Sequence, residues 1–220
     1  MAKAPGFAPV KSRLQPPLTA EEARALATAF LLDRLDAVAG LAGAAAVLAF
    51  APSEAAAALR MVMPPGVRLL AQRGDGLGER LTHVFDDLLA EHDVVLVLDA
   101  DSPTLPMTWV ADGLAMLVAQ ACDVVIGPSE DGGYWSIGLR TRCPALFTDV
   151  PWSTERVFEI TLARTDMARL RVALLPRWFD IDTEADLRRL SDEVAVSGGP
   201  WRTAAVAPAL AARLATAPAR

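Results

Sequence analysis

The run Val94-Val95-Leu96-Val97-Leu98-Asp99-Ala100-Asp101-Ser102-Pro103-Thr104-Leu105-Pro106 constrains the fold more than any other stretch of the chain. Five consecutive apolar residues, mostly β-branched, read as a strand buried on both faces, the kind found inside a parallel sheet. Two aspartates follow one residue apart, where that strand should leave the sheet. Ligands of open α/β sheets collect at the carboxyl ends of the strands, so acids there stand where chemistry is usually done. Asp99 and Asp101 are two residues apart, so in an extended segment both point the same way and can approach one hard cation or a phosphate-bound metal. The local alternative is that Asp101 or Ser102 caps the following helix, with Pro103 near its first turn.

Around this run, strands alternate with helices over about residues 30 to 190, the pattern of a mostly parallel sheet covered by helices. Thr19-Ala20-Glu21-Glu22 is a capping box that starts a helix to about Val38. Further strands are expected at 44–50, 67–71, 123–127, 134–139 and 171–175. Helices are expected after Ser53, from about Leu77, from Met107, from a cap at Ser153, and from a cap at Asp182 or Thr183. The first eighteen residues contain Pro5, Pro9, Pro16 and Pro17 and read as irregular. The tail after Gly198 is Ala-rich, is broken by Pro200, Pro208 and Pro218, and reads as one short helix or none, serving packing or a homodimer contact. The expected division is a domain over 1–195 and a tail over 196–220.

Composition narrows the class. A chain of 220 residues with 53% hydrophobic content can bury a large core. A net charge of -6 without a basic run argues against nucleic acid as a partner. No stretch reaches the roughly 18 apolar residues of a membrane span, and no signal-peptide layout opens the chain. Cys122 and Cys143 are too few and too ordinarily spaced for a disulfide framework or a zinc site. The expectation is a soluble, reduced, cytoplasmic protein acting on small molecules.

Three loops could carry chemistry. Lys11 and Arg13 lie in the Pro-rich opening segment, either a solvated arm or a loop whose cations meet phosphate oxygens. Gln72-Arg73-Gly74-Asp75-Gly76-Leu77-Gly78 joins a strand to a helix, and its glycines suit either a close approach of backbone to a ligand or a tight connection. Glu130-Asp131-Gly132-Gly133-Tyr134 is either a hairpin turn or a second pair of acids at a strand end. Trp109, Trp135, Trp178 and Trp201 read as packing anchors.

Taken in order, several of these segments resemble a known family. They are Ala2-Lys3-Ala4-Pro5 with Lys11-Ser12-Arg13-Leu14, the loop 72–80, Asp-Ser-Pro-x-Leu-Pro at 101–106, Gly-Pro-x-Glu-Asp-Gly-Gly-Tyr at 127–134, Trp152-Ser153-Thr154, and Asp180-Ile181-Asp182-Thr183. Together they resemble a bacterial family of GT-A-like glycosyltransferases, some linked to arsenosugar biosynthesis. That family is similar in fold to sugar nucleotidyltransferases and phospholactate guanylyltransferase. The resemblance implies a three-layer αβα nucleotide-diphospho-sugar transferase fold. It also implies that Lys11 and Arg13 face phosphate, and that Gln72, Gly74, Asp75 and Gly78 border the nucleotide. Asp101 would be the metal-side acid, with Asp182 a second metal contact and Asp99 the less family-like half of the pair. Asp131, Gly132, Gly133 and Tyr134, with Trp152, Ser153 and Thr154, would face the acceptor or sugar. Relatives carry an apolar strand before Ala-Lys-Ala-Pro, and here that strand is expected to be missing or replaced.

The reaction implied is Mg²⁺- or Mn²⁺-dependent transfer of a sugar from a nucleotide-sugar, with Asp131, or else Glu130, as general base if the configuration is inverted. The same groups would serve nucleotidyl transfer from an NTP to a phosphorylated small molecule. A non-catalytic nucleotide-binding module is the third expectation.

Overall fold

A computed structural model describes residues 1–216, with side chains through residue 213. The chain forms two compact units, one of Met1–Ala71, Ala100–Leu105 and the residues from Asp180 on, the other of Gln72–Asp99 and Pro106–Phe179. It is a mixed α/β fold, as expected.

In the first unit a parallel sheet runs β1 (Ala2–Lys3), β2 (Val47–Ala51), β3 (Arg68–Ala71). The opening segment is therefore not wholly irregular. Ala2 and Lys3 pair with Phe50 and Ala51, and the Ala4 N–H donates to the Ala51 carbonyl at 2.7 Å. Strand β2 supplies the partner groups that this Pro-rich stretch cannot supply for itself. Helix α1 (Ala20–Ala39) begins on the predicted capping box: the Thr19 hydroxyl accepts from the Glu22 N–H, and the Glu22 carboxylate accepts from the Thr19 N–H. Leu31 and Leu35 of α1 pack with Ala4, Leu48 and Phe50, and with Leu59 of α2 (Ala56–Val62). Burial of each large apolar side chain there contributes on the order of 1.5–3 kcal/mol.

The second unit carries β4 (Val95–Leu98), β5 (Val124–Pro128), β6 (Tyr134–Leu139) and β7 (Val172–Leu174), in the order β4-β6-β5-β7. Strand β6 is antiparallel to both neighbours, whereas β5 and β7 are parallel. The run at 94–98 departs from its reading: β4 ends this strand order, its partner is antiparallel, and only Val95 is fully buried. A continuous apolar run is compatible with either environment, and the chain's return through β6 decides between them. Strand β5 fits the two-sided reading better, with every residue buried. Helices α3 (Leu77–Leu88), α4 (Met107–Val118) and α5 (Val157–Met167) complete the unit.

Two termini differ from expectation. Helix α6 (Glu184–Ser197) is followed by α7 (Trp201–Thr216), a full helix with Pro208 inside it, where at most a short one was expected. Its start is anchored by Asp33 of α1, whose carboxylate accepts from the Thr203 N–H and hydroxyl, both at 2.8 Å, and pairs with Arg202. The second difference is at α5, which begins at Val157 rather than at a Ser153 cap; Ser153 has φ 65°, in the left-handed region.

Candidate functional site

Within the first unit, three segments far apart in sequence deliver charges to one place. The Lys11 ammonium pairs with Asp101 and lies 3.6 Å from Asp182, and it donates to the Ile181 carbonyl at 2.7 Å. Arg13 donates to the other Asp182 oxygen at 2.8 Å. The Lys11 side chain is 3% exposed and the Asp101 side chain 52%, so the cation is sequestered while the acid is open to a ligand. Lys11 also lies 5.4 Å from the centre of the Phe30 ring, whose π face favours a desolvated cation. Its backbone stands at φ 48°, ψ 38°, a left-handed conformation that costs a residue with a side chain about 1 kcal/mol or more. The chain holds that conformation while aiming the ammonium inward.

Three alternatives are decided here. Asp101 and Ser102 do not cap α4, whose N-cap is Pro106 without a side-chain bond; the Asp101 carboxylate meets Lys11 instead. Helix α6 is capped by Thr183 in a capping box with Asp186, which leaves the Asp182 carboxylate to Lys11 and Arg13. Lys11 is no solvated arm.

The segment bearing Asp101 is clamped at three points. The Ile181 N–H donates to the Asp101 carbonyl at 3.1 Å, Arg34 donates to the Ser102 carbonyl, and the Thr104 hydroxyl donates to Glu193 at 2.8 Å. Sequence reading passed over Arg34, Phe30 and Glu193. Arg34 did leave a signal: with Asp33 it interrupts the apolar run Phe30-Leu31-Leu32…Leu35, and charges placed among buried helix positions must find partners.

The second unit brings three other expected segments together. The Trp152 ring stands edge-on to Tyr134 with centroids 6.3 Å apart, and a side chain at Gly78 would meet Trp152 Nε1 at 2.8 Å. The loop 72–76 is closed by its own contacts, the Asp75 N–H donating to Glu79 at 2.8 Å and Arg80 to the Gly74 carbonyl at 2.9 Å. Gln72 opens that loop and Gly74 takes φ +112° in it. Residues 129–133 form the hairpin turn between β5 and β6, with the Ser129 N–H donating to the Gly133 carbonyl at 3.0 Å. Glu130 and Asp131 are exposed on it, and the Gly133 N–H donates to the Asp131 carboxylate at 2.8 Å. Gly132, at φ +88°, has no room for a side chain because the Glu155 backbone lies against it, and its carbonyl accepts from Phe158. Thr154 donates to the Pro151 carbonyl at 2.7 Å. Burial pushes the Tyr134 hydroxyl above the ordinary phenol range, opposed in small part by Thr161. Asp99 continues β4, its N–H donating to the Trp135 carbonyl at 2.9 Å.

Hard oxygen donors fit a divalent ion at Asp101 and Asp182, since both carboxylates already converge on one cationic atom. Among the described residues no group of three or more His, Cys, Asp or Glu forms a metal cage. Mg²⁺ is commonly bound by one or two carboxylates plus substrate phosphates, so a cage is not required.

Fold and comparison define the class: the chain has the fold of nucleotide-diphospho-sugar transferases. It is 30% identical to a Desulfovibrio desulfuricans G20 protein provisionally named a nucleotide-diphospho-sugar transferase, whose crystal structure it matches with a TM-score of 0.85 over 92% of this chain and 90% of that one. It also shares the fold of CMP:2-keto-3-deoxy-manno-octonic acid synthetase, solved with CTP, at 15% identity and a TM-score of 0.56 over 76% of this chain and 87% of that one. More particularly, it belongs to the bacterial family DUF2064, described as "Uncharacterized protein conserved in bacteria", which matches residues 34–154. No curated protein matches the chain. Among the described residues no helix is long and apolar enough to cross a membrane.

Proposed function

We propose that the protein transfers a sugar from a nucleotide-diphosphate sugar to a small-molecule acceptor with the help of Mg²⁺ or Mn²⁺. The observation that carries this reading is the convergence of Lys11, Arg13, Asp101 and Asp182 in one cluster. Its two cations and two carboxylates cancel, so these four groups alone have little attraction for a diphosphate. A divalent ion on the carboxylates would make the cluster net positive and would neutralise charge building on the leaving diphosphate. Asp101 and Asp182 are the residues to hold it. Arg13, 65% exposed, offers a planar fork suited to phosphate oxygens. Asp131, with Glu130 as second candidate, would take the proton from the acceptor hydroxyl if configuration inverts; the Gly133 N–H fixes its carboxylate. Gln72, Gly74, Asp75 and Gly78 are proposed to border the nucleotide. Tyr134, Trp152, Ser153 and Thr154, with Gly132 and Gly133, are proposed to shape the acceptor side. Free thiols at Cys122 and Cys143 agree with a reducing, cytoplasmic setting.

A product assay tests the reading. Incubation with Mn²⁺ and a panel of nucleotide-sugars should release nucleoside diphosphate slowly by hydrolysis, and faster once an acceptor is present. Pyrophosphate released from NTPs with sugar phosphates would instead establish nucleotidyl transfer, for which the same acids and cations would serve. Neither product would leave a binding module.

A further inference from the structure

Lys11 holds the position that the divalent ion needs. Its ammonium pairs with Asp101, lies 3.6 Å from Asp182 and binds the Ile181 carbonyl at 2.7 Å, so the oxygens that would coordinate a metal already surround a cation. An ammonium and a metal ion cannot share that point, because two like charges about 4 Å apart in a partly buried site repel strongly. The ammonium is nonetheless built in. Its side chain is 3% exposed, and the backbone at φ 48° is held where residues with side chains are rarely found. Meanwhile Asp101 keeps half its side chain open, so an ion from solvent can reach one carboxylate before Lys11 leaves it.

We propose that Lys11 is the resident counter-ion of the Asp101–Asp182 pair, and that a divalent cation binds these carboxylates by displacing its ammonium. The displaced ammonium, on a flexible four-carbon stem, then pairs with phosphate oxygens of the ligand. The consequence is mutual dependence. Metal binding leaves Lys11 without a carboxylate partner unless phosphate is present, and phosphate binding withdraws Lys11 from the carboxylates. Each ligand therefore raises the affinity for the other by the same factor. Nucleotide-free protein keeps its metal site neutralised. The inference rests on the transferase reading only for the identity of the phosphate ligand.

The test is a Mn²⁺ titration of the full, nucleotide-free chain, with free Mn²⁺ read by electron paramagnetic resonance. Lys11→Met should bind Mn²⁺ about tenfold tighter than wild type or more, because the competing charge is gone. Adding Asp101→Asn to Lys11→Met should cancel the gain. Lys11→Gln, which keeps a polar group in the cavity, should show the same gain should the methionine variant fold poorly. Lys11→Arg, which keeps the charge, should not. An unchanged or weaker Mn²⁺ affinity in both neutral variants would overturn the proposal, as would a gain that survives Asp101→Asn. Failure of the transferase reading would appear separately, as no response of the wild-type protein to nucleoside diphosphates, and leaves the Mn²⁺ comparison intact.

Discussion

Asp123 is the residue whose ionisation the structure ties most firmly to stability. Its carboxylate accepts three hydrogen bonds from Arg171, from the backbone N–H at 2.9 Å and from the guanidinium at 3.0 and 2.8 Å. These hold its pKa at about 2, below the ordinary 3.8, with Arg140 helping in small part. A pKa depressed by folding contributes stability above the unfolded value and loses it as the pH falls through the folded one. The stability difference between wild type and Asp123→Asn should therefore be flat above about pH 5 and shrink between about pH 4 and 2 in urea melts. A difference that stays constant to the acid limit would show that the pair adds nothing in solution. At this same scale, sequence reading singled out Asp101 and Lys11 separately, and the structure pairs them. It could not decide whether Asp101 caps a helix, because a cap and an ion pair draw on the same residue types. Only the position of Lys11, ninety residues away, decides it.

At the scale of elements, the capping box of α1 and the strand at 134–139 were legible because both are written in local chemistry: Thr19 with Glu22, and a run of aromatic and aliphatic residues that starts after two glycines. What escaped were choices made by distant partners. Helix α7 forms despite Pro208 and an Ala-rich sequence of little character, because Asp33 anchors its first turn and the helix runs close against α1 and α6. The hairpin at 129–133 illustrates a different limit. Two glycines after two acids suit both a turn and a ligand loop, and the structure uses Gly132 for the turn's contact with the start of α5. Gly132→Ala should therefore destabilise the protein by about 2 kcal/mol or more, through both its positive φ and the Glu155 backbone against it. Gly133→Ala, whose added carbon meets mainly the movable Asp131 carboxylate, should cost much less. Equal losses in thermal melts would mean that the loop yields at both positions.

For the whole molecule, the alternation of strands and helices announced an α/β chain, and the ordered motifs pointed to the nucleotide-diphospho-sugar transferase class that the comparisons bear out. The division of the chain was not legible, since residues 100–105 join a unit otherwise built from the two ends of the sequence. Local patterns carry no record of such a crossing. Yet the crossing makes the charged cluster, because it sets Asp101 beside Lys11 and Asp182. This cluster is proposed to bind a nucleoside diphosphate through a divalent ion. A thermal-shift titration with UDP, GDP and CDP and their sugars, with and without Mn²⁺, tests it most directly, because ligands of the native state alone raise the melting temperature. At least one nucleotide should raise the melting temperature of the wild type in a Mn²⁺-dependent way, and Asp101→Ala should abolish that dependence. A wild type that answers no nucleotide, or a variant that responds as the wild type does, would contradict metal-dependent nucleotide binding at this cluster.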